Sequence, residues 1–485
     1  MDQEKKNENS YRNILKGTSL FGGVQVFQIL VNLIRGKFVA MFLGPEGMGM
    51  SSLFASSANT ISQMSSLGLQ MAFTKEVAEN RSNPDRIRTV ISVALATLQL
   101  TGIVGAFATV LLAPWLSRIS FGNEQYSWQF MGLAIAVYFM VTGGGKVAIL
   151  QGLHSLKIIS ASMLSGAVIG LVAGVPLYYL FGTRGIVPAM ILVTMTQYIC
   201  FTIGLRRAAG ETPKGFSWKS HKGIIRRFIS LGMVLMASSL VNTGCIYALN
   251  IFIRGFGQLA DVGLYNAVNS LTNQYSGIVF TAMSMDFLPR LAAIAKDNVR
   301  MREVVNRQLE IVSLIIAPAV VVLIALSPVV IRVLLTSEFL SVTPLMRWMG
   351  LGVLLKAIAY PMGYIAFAKD NKRLFFWMEA IAENMIFLLL SVSLYSSFGL
   401  PGLGYAPVAD SAISIALYYT VNRRVYGYSF NIRAIREIAM AMIMGVAAFL
   451  GANIADTSLS YYVMAAIFII SAAWSVWRLR ALLRK

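Results

Sequence analysis

The chain is short of charged residues for its length. Of its 485 residues, 13% are charged and 56% are hydrophobic, whereas a soluble domain carries about a quarter and about half respectively. This deficit excludes an ordinary soluble protein. The composition instead predicts a membrane protein that crosses the bilayer many times.

Cysteine and histidine are almost absent. Cys200 and Cys245 are the two cysteines and both lie in apolar segments, so neither a disulfide framework nor a thiolate metal site is expected. His154 and His221 fall in or beside predicted cytoplasmic loops, which argues against a histidine metal site or a catalytic triad. The chain also lacks a phosphate-binding P-loop. We therefore expect no cofactor and no enzymatic reaction, and the chain alone cannot be an ATP-driven pump.

Apolar runs of the length that crosses a bilayer, about 20 residues each, recur along the whole chain. They predict an all-α polytopic membrane protein with about 14 transmembrane helices, numbered here as spans 1 to 14. Their approximate limits are 17–43, 47–74, 88–114, 127–150, 156–181, 185–206, 228–253, 262–288, 308–334, 342–368, 374–398, 402–422, 434–454 and 459–479.

Basic residues are distributed unevenly between the two sides that these spans define. If the N-terminus is cytoplasmic, the cytoplasmic segments hold 33 of the 41 lysines and arginines. This is the bias that orients membrane proteins. The net charge of +20 is therefore explained by topology, and no nucleic-acid partner is expected. Both termini are predicted to face the cytoplasm.

The chain contains an internal repeat at a spacing of 214 residues. Ser56, Asn59 and Phe73 recur as Ser270, Asn273 and Phe287. Repeats of this length in a very apolar chain are typical of transporters with two pseudosymmetric lobes. Because each repeat has six spans, an even number, the two lobes are predicted to run parallel. We expect lobes at 1–210 and 222–425 around a central cavity, and two accessory helices at 433–485.

Polar residues form stripes along four of the predicted helices. In span 1, Gln25, Gln28, Asn32 and Arg35 are three or four residues apart, which places them on one helix face. Comparable stripes contain Asn59 and Gln63 in span 2, Asn250 and Arg254 in span 7, and Asn273 in span 8. Such stripes predict a hydrated cavity, although polar side chains also join neighbouring helices by hydrogen bonds.

Charged residues inside the spans are the other candidates for function. Arg35 and Arg254 lie near the outer ends of spans 1 and 7, where they could also extend to the interface. Lys356 and Asp410 lie deeper, in spans 10 and 12. Glu379 and Glu383, one turn apart in span 11, are candidates for a proton or cation site, or for solvated charges at the helix end.

Two short motifs carry a resemblance to a known family. The sequence LGPEGMG at 43–49, followed by FTKEVA at 73–78, resembles the polysaccharide-transport branch of the multidrug/oligosaccharidyl-lipid/polysaccharide flippase superfamily, and most of all its O-antigen translocases. The resemblance implies two six-helix lobes, alternating access and a lipid-pyrophosphate-linked oligosaccharide as substrate. Drug exporters of the superfamily often carry an acidic cation site in the first helix, where this chain has Arg35 and Lys37 instead.

The resemblance implies roles for the residues named above. A polyprenyl-pyrophosphate headgroup carries negative charge and sugar hydroxyls, so arginine, lysine and amide side chains would bind it. The expected substrate-binding residues are Arg35, Arg254, Lys356, Gln25, Gln28, Asn32, Asn59, Gln63, Asn250 and Asn273, and the expected ion-coupling residues are Asp410, Glu379 and Glu383.

Three functions are consistent with these observations to different degrees. The leading prediction is a flippase in a bacterial cytoplasmic membrane that moves a polyprenyl-pyrophosphate-linked oligosaccharide, such as an O-antigen unit, from the cytoplasmic to the outer leaflet. The alternative is a cation-coupled multidrug exporter of the same superfamily. A membrane glycosyltransferase or polymerase would need catalytic residues and long outer loops, and the predicted outer loops are short. The expected partners are the lipid-linked oligosaccharide and membrane lipid, with polysaccharide polymerases or glycosyltransferases as neighbours.

Overall fold

The computed structural model describes residues 2–81, 83–209 and 222–483, and the regular structure of these residues is helical. A π-helical segment, Phe376–Ala382, and two 3-10 segments, Gly182–Gly185 and Ser337–Val342, accompany the α-helices. The helices are α1 (Asp2–Ser66), α2 (Leu69–Glu79), α3 (Pro84–Phe121), α4 (Ser127–Gly152), α5 (Leu156–Phe181), α6 (Ile186–Ala209), α7 (Lys222–Phe256), α8 (Leu259–Ala293), α9 (Asn298–Ala325), α10 (Ser327–Leu334), α11 (Thr343–Ala368), α12 (Lys372–Phe375), α13 (Glu383–Phe398), α14 (Leu400–Tyr426), α15 (Ile432–Ala452) and α16 (Thr457–Leu483).

Nine helical stretches of the described residues are long and apolar enough to cross a membrane, judged by length and composition. Two of them have the length of two crossings, since a crossing needs about 20 residues. Val26–Ser66 has 41 residues and Leu156–Ala209 has 54. The first is interrupted at Gly44, which has a φ of 64°, and the second at the 3-10 segment Gly182–Gly185. The prediction of an all-helical membrane protein with many spans is thus confirmed.

The predicted span 2, at 47–74, is broken near its C-terminal end. Leu67 and Gly68 have φ angles of 47° and 64°, so α1 ends before them and α2 begins after them. The break lies against α7: a Cβ added at Gly232 would lie 3.0 Å from the carbonyl carbon of Gly68. Glycine at these positions therefore allows two backbones to approach with no side chain between them.

Spans 9 and 11 are also interrupted. Span 9 consists of α9 and α10, separated at Leu326, because Pro328 lacks the N–H that would continue the helix. Span 11 consists of α12, the π-helical segment Phe376–Ala382 and α13. A π-helical turn contains one extra residue, and such turns are frequent at functional sites.

The chain forms two compact units, residues 1–263 and residues 264–485, called here the first and second units. In the first unit the ring of Phe73 packs edge-on against Phe228 at a centroid distance of 4.7 Å. In the second unit Phe287 lies in a core cluster with residues of α9 and α11. Phe73 and Phe287 are equivalent in the sequence repeat, and both are fully buried.

Two equivalent glycines of the repeat contact each other within the first unit. A Cβ added at Gly49 would lie 3.2 Å from the amide nitrogen of Gly263, and a Cβ added at Gly263 would lie 2.7 Å from the amide nitrogen of Gly49. Because these residues are 214 positions apart, the repeated loop motif packs against its own copy. Glycine at both positions allows the contact, since any larger residue would clash with the opposite backbone.

Helices α15 and α16 are joined to each other and to α9 by buried polar contacts. The side chain of Glu437 on α15 is fully buried and accepts two hydrogen bonds from Arg478 on α16, at 2.9 and 2.6 Å. The hydroxyl of Ser475 donates to the carbonyl of Leu314 on α9 at 2.6 Å. Losing one partner of a buried ion pair typically costs about 3–5 kcal/mol, so these contacts hold the last two helices against the second unit.

Candidate functional site

A cavity of about 310 Å³ lies inside the first unit. This volume is at the small end of the range for ligand pockets, about 300–1,000 Å³. Amide and hydroxyl side chains form much of its lining, together with three aromatic rings. Its polar and aromatic lining residues are Gln28, Asn59, Ser62, Gln63, Gln70, Thr194, Gln197, Phe139, Tyr198 and Phe201.

The cavity collects side chains from several helices. Gln28 comes from the first half of α1, and Asn59 and Gln63 come from its second half, one helical turn apart. Gln70 follows the break at Leu67–Gly68, and Gln197 is on α6. The structure therefore brings together three predicted substrate-binding residues, Gln28, Asn59 and Gln63.

Two glycines make room for two of these amides. A Cβ added at Gly144 on α4 would lie 2.6 Å from Nε2 of Gln70. A Cβ added at Gly166 on α5 would lie 2.9 Å from Cγ of Gln197. Each amide side chain thus lies beside the cavity, against a helix surface that carries no side chain at that point.

Lys146 is a charged residue next to the cavity, and it lies inside the predicted span 4. It is 7% exposed, and its ammonium donates to the hydroxyl of Thr202 at 2.6 Å and lies 3.4 Å from the ring centroid of Tyr198. Such a cation–π contact stabilises the ring position. A lysine inside an apolar span was the available signal in the sequence, but only the packing of α4 against α6 shows the partners of its ammonium.

The polar stripe of α7 is used in contacts within the first unit. The amide of Asn250 is 1% exposed and donates to the hydroxyl of Ser56 at 3.2 Å. The hydroxyl of Tyr247 lies 2.7 Å from that of Ser120. The guanidinium of Arg254 donates to the carbonyl of Phe121 at the end of α3. In this conformation, Asn250 and Arg254 therefore join helices to one another.

The remaining predicted residues of α1 and α8 are separate from the cavity lining. Arg35 is partly exposed, and Asn32 is exposed. The amide of Asn273 is also exposed and donates to Oδ1 of Asn269 at 2.8 Å. Gln25 lies in α1, and its side chain is outside the described part of the structure.

A cluster of charged residues lies in the second unit. The ammonium of Lys356 on α11 is 4.0 Å from Oε1 of Glu383 on α13. The hydroxyl of Tyr418 on α14 donates to Oε1 of Glu379 at 3.0 Å and also contacts a carboxylate oxygen of Glu383. The structure therefore unites Lys356, predicted to bind substrate, with two of the predicted ion-coupling residues, and it adds Tyr418.

Local backbone structure explains how two acids reach one tyrosine. Glu379 lies in the π-helical segment, whereas Glu383 begins the α-helix that follows. Glycine at position 363 on α11 leaves space for the carboxylate of Glu379, because a Cβ there would clash with Oε1. The extra residue of the π-helical turn changes the direction of Glu379 relative to a regular helix.

Asp410 is the third acid of this region. It is 8% exposed on α14, and the charged groups that interact with it electrostatically are Glu383 and Lys356. Its Oδ1 atom is buried and has no hydrogen-bond partner among the residues that the structure describes. A buried carboxylate oxygen without a partner is costly when ionised.

Comparison of the sequence with known proteins finds a matching family and a related chain. The family model described as "Polysaccharide biosynthesis protein" matches residues 38–344. The chain is similar to the lipid III flippase of Escherichia coli (strain K12), with 24% identity over 393 residues that cover 80% of this chain and 93% of the relative.

Solved structures show the same fold. The lipid II flippase MurJ in its inward closed conformation matches with a TM-score of 0.74 and 13% identity, covering 96% of this chain and 100% of that one. A multidrug resistance MATE family transporter of the MOP superfamily, in its inward-facing conformation, matches with a TM-score of 0.70 and 14% identity, covering 82% of this chain and 94% of that one.

Proposed function

Because the chain belongs to the family of polysaccharide biosynthesis proteins, we propose that it is a flippase that moves a polyprenyl-pyrophosphate-linked oligosaccharide from the cytoplasmic to the outer leaflet of a bacterial cytoplasmic membrane. The observation that carries this proposal is the similarity to a lipid III flippase over most of both chains. An O-antigen unit or another surface polysaccharide unit is the proposed cargo. The experiment that tests the proposal is transport of a labelled lipid-linked sugar by the purified protein in vesicles.

The proposed architecture has fourteen spans. Residues 1–210 and 222–425 form two parallel pseudosymmetric six-helix lobes around a central cavity, and residues 433–485 form two accessory helices. The sequence repeat and the family resemblance support this division. Transport proceeds by alternating access, in which the lobes open toward one leaflet and then the other while the polyprenyl tail remains in lipid. No covalent bond is made or broken, so the protein is proposed to be a transporter without enzymatic activity.

The proposed orientation places both termini in the cytoplasm. A cysteine at Lys372, between α11 and α13, should react with a membrane-impermeant maleimide only from the cytoplasmic side, whereas one at Gln125, between α3 and α4, should react only from outside. The basis is the excess of lysine and arginine in the predicted cytoplasmic segments. The measurement is labelling of intact cells and inverted vesicles, with both native cysteines replaced by alanine.

The control is the cysteine-free protein treated with the same maleimide, which should remain unlabelled. Labelling at Lys372→Cys in intact cells, or at Gln125→Cys only in inverted vesicles, would reverse the proposed orientation and therefore the proposed direction of transport.

The proposed roles of the charged residues follow from the chemistry of the headgroup. Arg35, Arg254 and Lys356 supply cations for the pyrophosphate, because guanidinium and ammonium groups form charge-assisted hydrogen bonds with phosphate oxygens. Arg254 now donates to the carbonyl of Phe121, so its contact with substrate requires that this bond is exchanged. Asn250 would similarly release Ser56. The amides Gln25, Gln28, Asn32, Asn59, Gln63 and Asn273 are the proposed partners of the sugar hydroxyls.

The proposed source of energy is an ion gradient acting on the acids of the second unit. Asp410, Glu379 and Glu383 would be neutral or ion-bound in one arrangement of the protein and charged in another. An ion that binds one arrangement more tightly shifts the population toward it. Glu383 has a neighbouring cation, Lys356, and Glu379 has a hydrogen bond from Tyr418, whereas Oδ1 of Asp410 has no partner among the described residues. Asp410 is therefore the leading candidate.

A further inference from the structure

The cavity in the first unit is lined by uncharged polar side chains and aromatic rings, and this chemistry selects for one class of ligand. Its amides come from α1, α2 and α6, and its aromatic rings from α4 and α6. The lining contains no lysine, arginine, aspartate or glutamate among the described residues. The ammonium of Lys146, beside the lining residue Tyr198, is engaged by Thr202 and by the ring of Tyr198. Hence the cavity offers hydrogen bonds and ring faces without formal charge.

The amides of this cavity are available to a ligand. Within residues 2–81, 83–209 and 222–483, the side-chain amides of Asn59, Gln63, Gln70 and Gln197 form no hydrogen bond with another protein group. Each amide both donates and accepts. Leaving such groups unpaired in a desolvated site costs free energy, so an apolar occupant would bind poorly.

Because the described lining has no charged side chain, two other classes of ligand, pyrophosphates and organic cations, are excluded. A pyrophosphate would need cationic partners on leaving water, and an organic cation would need an acid or a free aromatic cage. The lining supplies no cation and no acid among the described residues, and one ring, Tyr198, already holds Lys146. The remaining class is a neutral molecule with many hydroxyl or amide groups and a small apolar face.

We propose that this cavity is a subsite for a sugar of the cargo, distinct from the groups that bind its pyrophosphate. Gln63, Gln70 and Gln197 hydrogen-bond the sugar hydroxyls, and the ring of Phe139 packs against the apolar face of the sugar. Gly144 and Gly166 position Gln70 and Gln197. This inference rests on the proposed function, because it assumes that the cargo carries a glycan. In this proposal, one set of residues recognises the sugar and a different set recognises the charged pyrophosphate.

The test compares two probes on the purified full-length protein in detergent. One probe is a polyprenyl pyrophosphate without sugar, and the other carries one N-acetylglucosamine. The dissociation constant of each is measured for the parent protein and for Gln63→Leu, Gln197→Leu and Gly144→Ala. The parent should bind the sugar-bearing probe about tenfold or more tightly, since two or three neutral hydrogen bonds contribute about that factor.

The three variants should lose this preference and keep the parent affinity for the probe without sugar. Gly144→Ala acts through the position of Gln70. Gly132→Ala is its matched control on α4, since a Cβ there would lie 3.5 Å from Val187, an ordinary contact, outside the cavity lining. The control should keep the parent preference.

The remaining outcomes separate the two proposals. If neither probe binds the parent protein, the proposed function itself fails. If the parent binds both probes equally, or if the variants keep the full preference for the sugar-bearing probe, the sugar subsite is wrong while the flippase proposal stands. A parallel loss of affinity for both probes in the variants would assign the cavity to the pyrophosphate or to folding, and would also overturn the inference.

Discussion

Protein carrying Asp410→Asn should bind a polyprenyl-pyrophosphate probe but should no longer be accelerated by a proton or sodium gradient. The reason is that Asp410 is buried and its Oδ1 atom has no partner among the described residues, so its charged form depends on a change of surroundings. Asparagine has the same shape and cannot change charge. The measurement is the transport rate in vesicles with and without an imposed gradient, whose ratio should fall to about one.

The control for Asp410→Asn is Glu303→Gln, which changes an exposed acid on α9 and should keep the response to the gradient. The double variant Glu379→Gln/Glu383→Gln tests the other two acids in the same assay. If Asp410→Asn and the double variant both respond to the gradient as the parent does, coupling through carboxylates is wrong. Passive flipping, driven by removal of product, then becomes the better explanation.

Alanine at Arg35 should lower the transport rate of the sugar-bearing probe by about tenfold or more, because one charge-assisted hydrogen bond contributes about 1.5–3 kcal/mol. Arg35→Lys should restore part of the rate, since lysine keeps the charge and loses the planar fork of donors. The measurement is transport normalised to the amount of protein in the membrane. Arg332→Ala, at an exposed position on α10, is the control and should transport normally.

Lys356 requires a different design because it pairs with an acid. Lys356→Met should also lower transport about tenfold, and the double variant Lys356→Met/Glu383→Gln distinguishes two reasons for the loss. We expect the double variant to stay low, because the side chain of Lys356 is 53% exposed and its 4.0 Å contact with Glu383 is long. Recovery in the double variant would make Lys356 a partner of Glu383 alone.

Normal transport by Arg35→Ala and Arg254→Ala would reduce both arginines to anchors at the membrane interface.

Helical periodicity explains what the sequence predicted well. Asn59 and Gln63 are four residues apart, and the structure places both in one cavity with Gln28. The spacing of 214 residues likewise predicted equivalent positions, and Phe73 and Phe287 are both buried. Spacing along a helix fixes which residues share a face, so these features follow from the sequence alone.

Contacts between helices could not be predicted in the same way. No periodicity within α6 indicates that Gln197 lines the same cavity as Gln63, or that Tyr198 lies beneath Lys146. The π-helical segment at Phe376–Ala382 also has no clear sequence signal, although it changes the direction of Glu379. The union of Lys356, Glu383 and Tyr418 depends on how α11, α13 and α14 pack. For this reason the sequence assigned Lys356 and Glu383 to separate roles.

The central claim is that this chain alone moves a lipid-linked sugar across a bilayer. The most direct measurement uses vesicles that contain the purified protein and a polyprenyl pyrophosphate whose single N-acetylglucosamine carries a fluorescent label, with a membrane-impermeant quencher added outside. We predict that the inner-leaflet probe becomes accessible to the quencher far faster than in protein-free vesicles, while ethidium added to the same vesicles is not transported. Probe that stays protected as in protein-free vesicles, together with gradient-driven movement of ethidium, would contradict the account and identify a multidrug exporter instead.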